Sequence, residues 1–211
     1  MSQTPSRPDP AASAASAAAP AAPVPGERFS LLALEALHEF QRPLGEQIMK
    51  VSSIGLEGPY RLLLRSPVLG QRIYDLLYYL RWNSSIPMRL SEFAILIIGR
   101  HWTSQVEWYA HAPIAAKAGL AQSIIDDLKA RRRPANMQPD EAVVHDFLTE
   151  LIATHRVSDD TFARARAVFD EQQLVDLTAV AGTYVMVAML LAMADIPVPP
   201  GKTPPFGPDG A

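Results

Sequence analysis

The residues best suited to chemistry fall in one stretch of the chain, Arg89 to Leu120. Glu92 opens an otherwise apolar helical run, and Glu107 and His111 follow it. Glu107 and His111 are four residues apart, so they share one face of a helix. Two consecutive helices joined by a tight turn pack antiparallel, which brings Glu92 toward that face. Two carboxylates and an imidazole beside an apolar wall are the parts of general acid–base catalysis. A buried carboxyl holds its proton and donates it; a histidine beside a carboxylate accepts one. His111 is therefore the acid–base candidate and Glu107 the group expected to orient it. Glu92 is either a second acid or the partner of an arginine. Arg89 and Arg100 are candidates to hold a substrate carboxylate, because guanidinium binds it in bidentate fashion. Ser104 and Trp108, with Trp102 and Tyr109, are candidates for the wall of a binding site.

The same residues admit plainer roles. Ser104-x-x-Glu107 is also the pattern of a capping box, in which Glu107 would bond its own backbone. His111 also fits a core histidine bonded to a carbonyl, and the arginines also fit helix-end charges. Glu92, His101, Glu107 and His111 are all possible metal ligands. Carboxylate-bridged metal sites in helical bundles place histidine three residues after glutamate, twice. Here the spacing is four and occurs once, so no metal is expected. A third possibility is no chemistry at all: a small-ligand binder or an assembly module.

The elements that must position these groups read as helices throughout. Leu31, Leu34, Leu37 and Phe40, and Leu69, Ile73, Leu76, Leu77 and Leu80, recur at helical spacing, and helical segments are expected over 28–41, 44–53, 60–65 (a short Leu-rich piece), 68–82, 89–101, 104–118, 121–132, 139–153, 158–168 and 171–194. Gln138-Pro139-Asp140-Glu141 and Ser158-Asp159-Asp160 carry helix-start chemistry, and Gly119 suits the position just past a helix end. No alternating strand pattern bounded by hairpin turns occurs. The expected fold is all-α, a helical bundle. Twelve of the 19 prolines lie in 1–26 and 197–211. The expected division is a disordered Ala/Pro-rich tail (1–26), one helical domain (27–196) and a disordered Pro/Gly-rich tail (197–211).

Composition excludes several classes of function. The chain has 211 residues, no cysteine and a formal net charge of -3. Disulfides, thiolate metal sites and thiol redox chemistry are ruled out. No nucleic-acid partner is expected, because the one dense basic run, Arg131-Arg132-Arg133, sits where cations complement a helix end. Leu177 to Ala194 is uncharged and reaches the lower length limit for a membrane helix. Its glycine, threonines and alanines, and the lack of a basic flank, favour the buried centre of a bundle or an oligomer interface. No membrane partner is expected, and the cytoplasm is the default compartment.

The Glu92–His111 run resembles the carboxymuconolactone decarboxylase family, which includes the alkyl hydroperoxidase D-like proteins. The peroxidase branch of that family has a glutamate, a Cys-x-x-Cys starting twelve residues on, and a histidine four residues after the second cysteine. Glu92, Ser104, Glu107 and His111 occupy that frame without a gap, with both cysteine positions changed. The Glu-Trp-x-x-His form is similar to the cysteine-free, decarboxylase-like branch. The resemblance extends over about 55–196, through Gly58-Pro59-Tyr60, Arg65-Ser66-Pro67, Leu148–Ala153, Val157-Ser158-Asp159 and Leu174–Leu191. It implies a helical bundle assembled as a homo-oligomer, a trimer or hexamer. It implies a cofactor-free lyase acting on a small carboxylated lactone or related acid, through His111, Glu107 and Glu92. Cysteine-type peroxidase activity is not expected, because a serine hydroxyl is a poor nucleophile toward peroxide and forms no disulfide.

Overall fold

A computed structural model describes residues 28–52 and 54–207. Among the described residues there are no strands. The helices are α1 (Arg42–Val51), α2 (Tyr60–Leu63), α3 (Pro67–Trp82), α4 (Met88–His101), α5 (Gln105–Lys117), α6 (Gln122–Lys129), α7 (Pro139–Thr154), α8 (Asp159–Arg166) and α9 (Glu171–Ala194). The all-α expectation is met, and nine of the expected helical segments coincide with these helices within a few residues. The expected tail 1–26 lies outside the described residues.

Helix α4 is the axis of the fold. Every residue from Leu90 to Arg100 is buried, as expected of a helix that is apolar all round. α5, α6, α7 and α9 all pack on it. α5 returns antiparallel after the three-residue turn Trp102-Thr103-Ser104, in which Thr103 takes a left-handed φ of 52°. That conformation is costly for a β-branched residue. It lets the Ser104 amide bond the Gly99 carbonyl at 2.8 Å and closes the turn.

Helix α9 is long and apolar enough to cross a membrane by length and composition, with a mean hydropathy of 2.0 over its most apolar window. Half of that window is buried against the rest of the chain. Its start is fixed by reciprocal bonds between Asp170 and Gln173, at 2.8 and 3.0 Å. Asp176, also buried, accepts from the amide and hydroxyl of Ser85 at 2.7 and 2.8 Å, which ties α9 to the loop before α4.

Two end segments depart from the sequence expectation. Residues 28–41 are an irregular strap with one 3-10 turn at Leu34–Ala36, not a helix. Arginines from the bundle satisfy its carbonyls in place of a helical ladder. Arg61 donates to Phe29 at 2.9 Å, Arg65 to Ser30 at 2.6 Å and Arg42 to Leu37 at 3.1 Å. The leucines are still used, since Leu37 packs into the core.

At the other end, residues 197–207 pack on the bundle rather than forming a loose tail. Phe206 is 2% exposed, and its ring lies 5.1 Å from that of Trp108. Its backbone exchanges hydrogen bonds with the Gln105 side chain at 2.9 and 3.1 Å. Proline-rich composition argued for disorder, but one large ring with a socket anchors a short segment despite its neighbours.

Candidate active site

A cavity of about 110 Å³ lies among α3, α5 and α9, closed on one side by the chain leaving α1. Its size limits an occupant to a small molecule. Its walls include Leu77, Val106, Ile114, Val187 and Leu191, and six lining residues have polar side chains: Ser52, Tyr60, Arg81, Glu107, His111 and Tyr184. Glu107 and His111 reach the cavity because they lie one helical turn apart on the face of α5 that meets α9.

Glu92 projects from α4 behind that face. Its Oε2 lies 2.7 Å from His111 Nδ1, and both side chains are buried. An ionised carboxylate only accepts, so Nδ1 carries the proton and Nε2 is the ring nitrogen left for chemistry. The edge of the ring is held by Tyr184 of α9, whose ring is perpendicular at 5.0 Å. Imidazole position and tautomer are thus fixed by two elements other than the helix that carries the histidine.

Glu107 is the anomaly of the site. It is 3% exposed, and neither carboxylate oxygen has a hydrogen-bond partner. Burial pushes its pKa up to about 8. The neighbouring Ser104 hydroxyl offsets part of that rise without closing a hydrogen bond of good geometry. At neutral pH Glu107 is therefore mainly a protonated acid, which avoids a bare charge in an apolar wall. Burial also raises the Tyr184 hydroxyl beyond the ordinary phenol range, and it raises that of Tyr60, partly countered by Arg81.

Several sequence assignments change at this point. Glu92, not Glu107, orients His111. The capping-box reading fails: Ser104 makes no cap bond, and its amide is already bonded to Gly99. Arg89 is occupied elsewhere, bridging to Asp140 at 2.6 Å and to Glu141 at the start of α7. Arg100 donates to the Lys129 carbonyl at 2.7 Å and lies over the Phe206 ring. Neither arginine lines the cavity. Trp108 is core, packed on Phe206, and Trp102 is a partly exposed turn residue. Among the described residues, no three histidine, aspartate or glutamate side chains are grouped closely enough to hold a metal ion.

The structure adds three residues that sequence reasoning missed: Arg81, Tyr60 and Tyr184. Arg81 sits in the last turn of α3, where a cation reads as ordinary helix-end chemistry. Tyr184 carried a signal in hindsight, as the lone aromatic in the apolar Leu177–Ala194 run.

No protein-family model matches the sequence, and no curated protein matches it. Solved structures do. An uncharacterized peroxidase-related protein from Ralstonia eutropha JMP134, described as an alkylhydroperoxidase AhpD core, superposes with a TM-score of 0.70 at 14% identity, covering 85% of this chain and 95% of that one. Another, from Silicibacter sp. TM1040, gives 0.69 at 12% identity, covering 87% and 95%.

The fold is the AhpD-like one.

At such identities the likeness extends to fold alone. In this cysteine-free chain the buried carboxyl and imidazole groups of α4 and α5 are Glu92, Glu107 and His111.

Proposed function

We propose that the cavity is a cofactor-free acid–base site of the decarboxylase-like kind, acting on a small carboxylated lactone or related acid. The observation that carries this reading is the buried Glu107 carboxyl, without a hydrogen-bond partner, beside a His111 held from behind by Glu92 at the wall of one cavity. A carboxyl kept protonated by burial, next to a histidine held by a second carboxylate, fits divided acid and base roles. In this reading Arg81, with the Tyr60 hydroxyl, receives the substrate carbonyl or a second carboxylate. His111 Nε2 takes up or relays a proton. The C–C bond to the departing carboxylate breaks, CO2 leaves, and its electron pair passes into the conjugated carbonyl as an enolate. Glu107 then delivers its proton to carbon and regains one from solvent. The apolar wall favours the first step, because desolvation raises the energy of a carboxylate more than that of a delocalised enolate.

Thiol-based peroxide reduction is outside this chemistry, since the chain has no cysteine. The exposed Val175, Met189 and Met193 along α9 suit the subunit contact of a homo-oligomer, which light scattering on the purified protein will measure.

The test is thermal stability of the full chain against carboxymuconate-type acids, small lactones and plain carboxylates, followed by CO2 release from any ligand that binds. A ligand at 100 times its Kd adds about 2.7 kcal/mol to native stability. A shift lost in His111→Ala, with CO2 released by the parent protein, is the expected result. Binding without CO2 release from any carboxylated ligand would replace the lyase with a small-ligand binder.

A further inference from the structure

A second concavity, of about 320 Å³, opens on the side of α4 that faces α6 and α7. No residue is shared with the first cavity. Its floor is apolar, with Ile97 of α4 and Leu128 of α6 buried and Ile152 of α7 beside them. Its rim is cationic. Arg100, Arg131, Arg132 and Arg133 line it together with His101 and His145, and no acidic residue does.

The run Arg131-Arg132-Arg133, read from sequence as helix-end charge, is held in this arrangement by the end of α6. Arg131 occupies the position just past the helix with a left-handed φ of 57°. The Arg131 amide bonds Leu128 at 2.9 Å, and that of Arg132 bonds Asp127 at 2.8 Å. Glycine is the low-cost residue at such a site, and arginine there carries backbone strain. The Arg131 side chain reaches the neutral hydroxyl of Thr103, at 2.8 Å. Thr103 is itself left-handed, so two strained residues meet at one edge of the groove. Arg132 pairs with Asp127 at 2.7 Å and Arg133 with Asp146 at 2.8 Å, both carboxylates lying behind the rim. Arg133 Nη1 also lies 3.1 Å from His145 Nδ1, which is 3.3 Å from Asp146 Oδ1. Burial, and secondarily the charge of Arg131, lowers the pKa of Arg100.

We infer that this groove binds a small organic oxyanion, a phosphate monoester or a carboxylate, with its head on Arg131 and Arg133 and a compact apolar body on Ile97, Leu128 and Ile152. A cationic rim alone would suit any anion. The apolar floor selects one with a hydrocarbon part. A nucleic acid would require a track of cations, whereas these are confined to one groove on a chain of net charge -3.

Titration calorimetry on the full chain tests this with phenyl phosphate, hexanoate and inorganic phosphate as probes. The expected result is saturable binding of phenyl phosphate or hexanoate, one per chain, and which of the two binds tighter identifies the head group. Inorganic phosphate is expected to bind at least about tenfold more weakly, for want of contact with the floor. Binding is expected to weaken about tenfold in Arg131→Gln, and further with Arg133→Gln added. It is expected to persist in His111→Ala, which separates this groove from the cavity across α4. Arg131→Gly supplies a second readout: relief of strain raises Tm while binding is lost. Three results would overturn the inference: no saturable binding of either organic probe, binding that survives the double substitution, or inorganic phosphate binding as tightly as phenyl phosphate. A fall in Tm for Arg131→Gly would do so as well, by making Arg131 a residue that holds the fold.

Discussion

The two faces of α4 solve opposite electrostatic problems. On the α5–α9 side the cavity is small, and Glu107 and His111 are buried where charge is unwelcome. Glu107 responds by keeping its proton to about pH 8. On the α6–α7 side the groove is open, and Arg131, Arg132 and Arg133 are exposed to solvent. The contrast teaches where to look for each function. Proton transfer needs a site that displaces pKa values toward the working pH, and burial does that. Capture of an anion needs cations that remain cations, and exposure does that. One helix separates the two because α4 is buried over its whole central length and presents a different neighbour on each side.

The sharpest way to break this comparison is at His111. His111→Ala is expected to lower turnover of a bound carboxylated substrate by about a thousandfold, within the usual range for a positioned acid–base group. Circular dichroism should show the variant still folded. Turnover equal to that of the parent protein would remove the imidazole from the mechanism.

Glu107 makes the cavity side visible in stability. Its folded pKa is raised above the unfolded value of 4.5, so the native state binds the extra proton. The contribution of Glu107 to stability is accordingly full below about pH 4.5 and is lost as pH rises toward about 8, by an amount on the order of 4 kcal/mol. Urea denaturation of Glu107→Gln should lack this slope and exceed the parent protein at pH 9. Activity that depends on the protonated acid should fall through the same upper limit. A parent protein with flat stability between pH 5 and 9 would mean that Glu107 is solvated in solution.

The C-terminal strap touches both sides, since Phe206 lies between Trp108 and Arg100. Phe206→Ala is expected to cost about 3 kcal/mol by thermal or urea unfolding, the low end for a buried phenylalanine. A cost near zero would show that the strap is dispensable.

Glu92→Gln, which keeps a hydrogen-bonding side chain but removes the charge, should lower turnover by about tenfold, as loss of a group orienting a histidine does. Loss as large as that of His111→Ala would give Glu92 a different part.

Much of the fold was legible in the residues. Apolar positions at helical spacing located α1 and α3 to α9, because burial of one stripe is what makes those segments helical. Gln138 and Ser158 mark real helix starts. The strap at 28–41 was misread because leucines three apart satisfy a helix and an extended strap equally. What decided it was Arg42, Arg61 and Arg65 reaching its carbonyls, and those arginines are up to 35 residues away in sequence. Phe206 was hidden by its proline-rich neighbours for the same reason, since its socket is made by Trp108 and Gln105.

The candidate site divides along the same line. Sequence determined which titratable groups share the α4–α5 hairpin, because four-residue spacing is a property of the helix itself. It also determined that no thiol takes part. Only the tertiary structure decided that Glu92 holds His111 while Glu107 is left alone, that Arg81 rather than Arg89 or Arg100 faces the cavity, and that Tyr184 closes it. Those outcomes depend on how α3 and α9 pack across α4 and α5, and a local periodicity carries no information about which side chain of a distant helix it will meet.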